Sequence, residues 1–206
     1  MSFSSYANFR SAVTTWLNLD DTVSAEVDDL ITIGENRVTK EVRHRLLEKA
    51  LSTATASGVI AVPSDYVELK FSYVDGTPVQ HLQRRSADWV YQKYPARSTS
   101  GKPKYIARET TNFIFGPFPD ATYTIKGVYY FKPTALSGGL SNLFTAHPDL
   151  YLFACLAEAE PFIGRDTRIG IWEAKYNKIK DSVMREDMDE MVSGSPPVVT
   201  NTNGNL

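Results

Sequence analysis

Residues 116–163 read GPFPDATYTIKGVYYFKPTALSGGLSNLFTAHPDLYLFACLAEAEPFI, and this stretch decides the fold. Aromatic and β-branched residues predict a long strand from Thr122 to Lys132, which Pro133 ends. From Pro148 the pattern changes to a helix rich in Leu and Ala, with proline at the first helical position. No catalytic pattern is evident in this stretch, which predicts a protein whose role depends on its shape.

Helical patterns flank this stretch on both sides. Residues 5–18 place apolar side chains at helical spacing, and a second helix is predicted to begin near Ser24 and to continue, with basic residues, towards Lys49. After Pro161, which is expected to kink or end the preceding helix, a longer helix carries a packing stripe. The stripe consists of Ile169, Trp172, Tyr176, Ile179 and Val183.

The centre of the chain is predicted to be β-rich, over about residues 58–132. Residues 66–74 alternate apolar and polar side chains, and segments 104–108 and 112–115 form a predicted hairpin. Gly127 falls on the apolar face of the long strand, which indicates a bulge or a close approach. The predicted fold class is therefore α+β: a helical bundle of two N-terminal and two C-terminal helices, with a central antiparallel β-rich insertion and an extended C-terminal tail.

Composition limits the function classes. The chain has 206 residues, 42% of them hydrophobic and 22% charged, which suits one soluble globular domain. The formal net charge of −2 argues against coating nucleic acid by bulk electrostatics. Residues 1–7 lack the pattern of a signal peptide, and the apolar run at 150–157 is too short to span a bilayer, so no membrane partner is expected. We expect a soluble protein that is made and used in a reducing cytoplasm or in a particle assembled there.

No catalytic, cofactor or metal site is predicted. The single cysteine, Cys155, lies in an apolar segment and is interpreted as a small buried hydrophobe. The histidines have no second ligand at metal spacing: His44 is read as part of a basic helix end and His147 as a turn residue. Asp187, with Asp189 and Glu190, is interpreted as an exposed acidic helix end. An acid pair assembled in space stays open as an enzymatic alternative.

The segment 84–108 combines basic and aromatic residues. This composition can bind single-stranded nucleic acid by charge and stacking, so a nucleic-acid-binding module is the alternative function. The simpler interpretation, which we favour, is a solvated loop and a short helix whose aromatic side chains face the core. The candidate contact residues, for passing DNA or for a neighbouring subunit, are Arg84, Arg85, Arg97 and Lys102.

The last residues, 192–206, carry no charged side chain and consist mainly of Ser, Gly, Pro, Val, Thr and Asn. Such a segment cannot bury enough surface by itself to offset its ordering entropy. We therefore predict a single domain over residues 1–191 followed by a docking tail. The candidate docking residues are Pro196, Pro197, Val198, Val199 and Leu206.

An ordered set of motifs across residues 1–190 resembles the head-to-tail adaptor proteins of tailed phages, also called connector or head-completion proteins. Two N-terminal helices precede a strand entered through Val62-Pro63-Ser64-Asp65-Tyr66, and the long strand ends in Tyr129-Tyr130. A Leu-Ser turn, the helix start at Pro148-Asp149-Leu150 and a final long helix follow in the same order.

The resemblance implies a structural virion protein at the head–tail interface rather than an enzyme. It implies a homo-oligomeric ring, typically a dodecamer, that docks on the portal protein, contacts tail or nozzle proteins and extends the channel for passing DNA. The C-terminal segment of such proteins commonly extends onto the portal, which fits the tail at residues 192–206.

Overall fold

A computed structural model describes residues 3–19, 24–160 and 167–192 of the chain, apart from the side chains of residues 24, 25, 97 and 192. The chain divides into two compact units. The helical unit comprises Met1–Arg45 and Ala135–Leu206, and the β unit comprises Leu46–Thr134. The α+β class predicted from the sequence is confirmed.

Six α-helices lie within the described residues, five in the helical unit and one, α3, in the β unit. Three of them follow the β unit where two were predicted, because the short α4 precedes the helix that begins at Pro148. The helices are α1 (Tyr6–Leu17), α2 (Ser24–Glu41), α3 (Ala87–Lys93), α4 (Asn142–Ala146), α5 (Pro148–Ala157) and α6 (Arg168–Val192).

Helix α5 is the centre of the helical unit. Its residues 150–156 are all buried, and it packs against α1, α2 and α6. A helix that is apolar on every side needs such neighbours on every side. Phe9 and Phe144 meet edge to face with ring centroids 5.0 Å apart, and Cys155 is fully buried as expected. The predicted kink at Pro161 lies outside the described residues.

The β unit contains two four-stranded sheets. The first has the order β1-β8-β3-β4 and is antiparallel; the second has the order β2-β7-β6-β5 and pairs β5 with β6 in parallel. The insertion is thus not purely antiparallel. The strands are β1 (Glu48–Ala54), β2 (Val59–Ala61), β3 (Tyr66–Val74), β4 (Gln80–His81), β5 (Gln83–Arg84), β6 (Tyr105–Glu109), β7 (Asn112–Gly116) and β8 (Thr124–Phe131).

Strand β8 lies between β1 and β3, and its apolar face forms the core of the first sheet. Ile125 and Tyr129 are buried there, and Gly127 lies between them on the same face. A β-carbon on Gly127 would overlap the carbonyl oxygen of Phe71, opposite an irregular register in β3. The close approach predicted at this glycine is confirmed.

The structure corrects the prediction for residues 42–54. The second helix ends at Glu41, and β1 begins at Glu48, before the expected start of β structure near residue 58. In β1 only Leu51 is buried, so the strand lacks the alternation that identifies strands in sequence. Its pairing with β8, with Glu48 opposite Tyr130, determines its conformation.

Candidate interaction surface

The basic and aromatic segment forms one face of the β unit, built from α3, β5 and β6. Ser86 caps α3 by accepting a hydrogen bond from the backbone N–H of Trp89 at 3.3 Å. The Trp89 and Tyr105 rings are 4.7 Å apart, and Trp89 packs against a small core that includes Val90. The aromatic side chains of α3 therefore face the core, as the simpler interpretation predicted.

Cations flank these rings. The Arg85 guanidinium lies 5.3 Å, and the Lys93 ammonium 5.0 Å, from the centroid of the Trp89 ring. Each such contact contributes about 0.5–1 kcal/mol at an exposed site. A nucleic-acid base would have to compete with these two side chains to stack on Trp89.

A groove of about 240 Å³ lies beside this face, and we call it the arginine groove. Its lining includes Arg84, Arg85 and Arg108 and no acidic side chain, and its apolar lining includes Ile106 and Phe113. The three arginines come from β5, from the residue after it, and from β6. The parallel pairing of β5 with β6 brings them together.

Arg84 differs from Arg85 and Arg108 in its hydrogen-bond and ion-pair partners. Arg84 donates to the carbonyl oxygen of Leu69 at 2.9 Å and lies 3.3 Å from a carboxylate oxygen of Glu68. Within the part of the chain that the structure describes, no carboxylate lies within 4.0 Å of Arg85 or Arg108. Positive charge in the groove is therefore compensated only at Arg84.

The predicted contact residues are thus partly brought together. Arg84 and Arg85 share the groove, whereas the Lys102 ammonium donates to the carbonyl oxygen of Pro78 at 2.6 Å. The side chain of Arg97 and the docking residues of the tail, Pro196, Pro197, Val198, Val199 and Leu206, lie outside the described residues. Arg108 was not among the predicted contacts, because only the register of β6 places its side chain in the groove.

Helix α6 carries a second exposed surface. Trp172, Tyr176 and Val183 of its predicted stripe are buried. Ile171 and Met188 are exposed by 59% and 60%, so the apolar side chains of this helix point in two directions. One set packs within the helical unit, and the other is open to solvent.

Asp187 contradicts its predicted exposure. It is 4% exposed, and its carboxylate accepts a hydrogen bond from the backbone N–H of Arg45 at 3.1 Å. His44, predicted as part of a basic helix end, is 1% exposed; its Nε2 lies 3.7 Å from Asp187, and its ring 5.6 Å from that of His147. Burial lowers the pKa of His44 below its usual value, against the opposing charge of Asp187.

A charged cluster around Arg37 connects α2 with α5 and α6. The Arg37 guanidinium lies 2.8 Å from Glu158, 2.6 Å from Glu173 and 3.1 Å from Glu41. The Glu173 carboxylate, and after it that of Glu41, raises the pKa of Arg37, and Arg37 in turn lowers the pKa of Glu173. Arg37 also lies 4.3 Å from the Tyr176 ring centroid, so the cluster fixes three helices around one side chain.

Two further findings concern catalysis and membranes. Burial raises the pKa of the Cys155 thiol, which disfavours the nucleophilic thiolate. Among the described residues, no group of three His, Cys, Asp or Glu side chains could hold a metal ion. No helix in the described ranges is long and apolar enough to cross a membrane.

The family model described as SU10 adaptor protein matches residues 4–200, which include nearly all of both units. No curated protein matches the chain.

Proposed function

The chain belongs to the SU10 adaptor protein family, a structural family of phage head–tail adaptors, and we propose that it joins the capsid portal to the tail as a ring. The ring, a dodecamer by resemblance, extends the DNA channel. The chain acts without catalysis or a cofactor, and assembly takes place in the host cytoplasm. The observation that carries this proposal is the family match across residues 4–200.

The surfaces of the two units support a role in assembly. The helical unit exposes Ile171 and Met188 on α6, and the β unit exposes Phe71 and Val79 by 47% and 52%. Exposed apolar side chains such as these can be covered by a partner chain, and each unit offers two of them. In a ring, each subunit needs two different contact surfaces for its neighbours.

The tail is proposed as the portal-docking segment. Residues 192–206 have no charged side chain that would oppose burial in an apolar site. An extended segment can add to the edge of a sheet in a partner, with Val198 and Val199 entering apolar pockets. The ordering cost is then met at docking, which keeps the free subunit monomeric until its partner ring is present.

The basic face of the β unit is proposed to contact a neighbouring subunit or passing DNA. Arg84, Arg85, Arg97 and Lys102 are the residues assigned to this contact. Loss of these charges should leave the fold intact, because exposed charge pairs contribute little to stability.

Native mass spectrometry of the chain, alone and mixed with the portal protein of its phage, tests the proposal. We expect a monomer alone and a closed ring of chains bound to the portal ring. A chain that stays monomeric in the presence of assembled portal, under salt conditions that preserve the portal, would contradict it.

A further inference from the structure

We propose that the arginine groove binds a glutamate or aspartate side chain of an extended acidic peptide segment. The groove binds the carboxylate, and neighbouring apolar residues of the same segment contact the groove floor. The source of the segment, another protein of the virion, rests on the proposed function. The proposed binding of a carboxylate in the groove does not depend on that function.

Charge is the first argument. Arg84, Arg85 and Arg108 are among the residues that line one groove of about 240 Å³, and no acidic residue is among its lining residues. Arg85 and Arg108 have no carboxylate within 4.0 Å in the described ranges. Cations held near one another repel, and an entering anion removes that repulsion while it forms charge-assisted hydrogen bonds. The groove is therefore complementary to a negative group.

Preorganisation is the second argument. Arg108 donates to the carbonyl oxygen of Thr110 at 3.3 Å, and its guanidinium lies 5.1 Å from the Tyr66 ring centroid. Arg85 donates to the side-chain oxygen of Gln83 at 3.1 Å and lies beside Trp89. A guanidinium has five N–H donors, so these contacts hold each side chain and leave donors for a ligand. Less side-chain entropy is lost when the ligand binds.

The size and floor of the groove favour a peptide. Tyr66 and Val67 are half-buried and supply accessible apolar surface in the groove, beside the buried Ile106 and Phe113. A volume of about 240 Å³ accommodates one or two side chains. A nucleic-acid strand instead needs a continuous basic track with open aromatic faces, and cations already flank the Trp89 ring. A carboxylate beside an apolar side chain matches both parts of the groove.

The strands that border the groove can also take an extended chain. Strand β6 pairs with β7 on one side, and its pairing with β5 ends at Ile106. Within the described residues, no strand pairs with the other side of β6 from Ala107 to Glu109. Ala107 and Arg108 line the groove, so a segment bound there lies beside free strand edge. Backbone hydrogen bonds to such an edge supply affinity, and the pocket supplies specificity.

The test uses the full chain and a capped, fluorescent peptide of alternating valine and glutamate. The comparison peptide has glutamine at every glutamate position, and oligothymidylate serves as a nucleic-acid probe. Fluorescence anisotropy at moderate salt gives the affinities. We expect the glutamate peptide to bind about tenfold or more tightly than the glutamine peptide, the size of effect that charge-assisted hydrogen bonds give.

Variants assign the binding to the groove. Arg85→Gln with Arg108→Gln should weaken glutamate-peptide binding by about tenfold or more, since both uncompensated cations are lost. The matched control is Lys93→Gln, which removes a cation from the same face outside the groove and should change affinity less than about twofold. Arg108→Lys keeps the charge but not the forked donor set, so it should also weaken binding of the glutamate peptide. This variant tests the groove if the double variant does not fold.

Three results would overturn the inference. They are equal binding of the two peptides, tighter binding of oligothymidylate than of the glutamate peptide, and equal losses in the groove variant and in Lys93→Gln. Each measurement uses the chain without portal. A negative result in the peptide-binding experiment therefore does not contradict ring formation on the portal. Absence of a ring in the portal experiment likewise does not change the peptide affinities.

Discussion

Gly34 in α2 lies directly against Cys155 in α5: a β-carbon on Gly34 would come within 2.6 Å of the Cys155 sulfur and 3.0 Å of its backbone nitrogen. Helices α2 and α5 can pack this closely because Gly34 has no side chain at the contact. The backbone of α5 cannot move away without disturbing the buried residues on either side of it.

Gly34→Ala is expected to lower the free energy of unfolding by about 1–3 kcal/mol, the usual cost of overpacking a tight contact. Gly170→Ala is the matched control, because no atom of the described residues lies within 4 Å of a β-carbon at that position in α6. It should raise the free energy of unfolding by about 0.5–1 kcal/mol, since alanine favours a helix over glycine. Urea denaturation followed by circular dichroism measures both. Changes of the same sign in the two variants would contradict the packing account.

Trp172→Ala is expected to lower the free energy of unfolding by about 3–5 kcal/mol, because it empties a large buried aromatic site. Trp172 is 4% exposed in α6, whereas its neighbour Ile171 is 59% exposed. Ile171→Ala should therefore change the free energy by less than about 0.5 kcal/mol. Denaturant titration measures the free energy of unfolding of both variants. A decrease below about 1 kcal/mol for Trp172→Ala would contradict the role of Trp172 in the core.

Arg37→Ala is expected to lower the free energy of unfolding by about 2–3 kcal/mol, because it leaves three carboxylates close together without their shared cation. Arg37→Lys should recover only part of this loss, since one ammonium cannot reproduce the forked contact with Glu173. The comparison is Arg10→Ala, which removes a more exposed ion pair with Asp28 and should cost less than about 1 kcal/mol. Urea unfolding of all three variants measures these losses in the free energy of unfolding. Equal losses for Arg37→Ala and Arg10→Ala would contradict a larger contribution from the cluster around Arg37.

His44 should make the protein less stable in mild acid. Burial lowers the pKa of His44 from its unfolded value near 6.5, so the unfolded chain binds a proton at a higher pH than the folded chain does. The contribution of neutral His44 to stability is therefore present above pH 6.5 and is lost as the pH falls through the folded pKa.

The measurement is the free energy of unfolding from pH 7.5 to pH 5 for the wild type and for His44→Gln, which cannot titrate there. Contributions from other groups cancel in the difference between the two curves. We expect the wild type to lose more stability on acidification than the variant. Parallel curves would show that His44 does not titrate differently on folding.

Deletion of residues 192–206 is expected to leave a folded, monodisperse protein that no longer binds stably to portal rings. The sequence of this segment has no charged side chain for an ion pair and no periodic apolar pattern. Co-sedimentation of the full-length and truncated chains with portal rings measures the attachment. A matched variant, Val198→Asp with Val199→Asp, keeps the length of the tail and should lose attachment as well. Equal co-sedimentation of all three proteins, or aggregation of the truncated chain, would contradict the docking role.

Local sequence patterns were sufficient to predict several helices and strands. Ser86 caps a short helix, Pro148 begins another, and the strands at 105–109 and 112–116 form the predicted hairpin. Each of these depends on residues within a few positions of one another, through caps, turns and periodic burial. The family resemblance was likewise readable from the order of such elements, and the match across residues 4–200 confirms it.

Only the tertiary structure decided the features that join distant parts of the chain. Strand β1 exists because β8 pairs with it, although its own sequence exposes nearly every side chain. Asp187 is buried because it meets His44 and the backbone of Arg45, more than 140 residues earlier. The arginine groove requires the register of β5 on β6 before Arg85 and Arg108 share one site. Periodicity indicates which face of an element is apolar, whereas the identity of the partner depends on long-range packing, and packing sets the charge environment of these side chains.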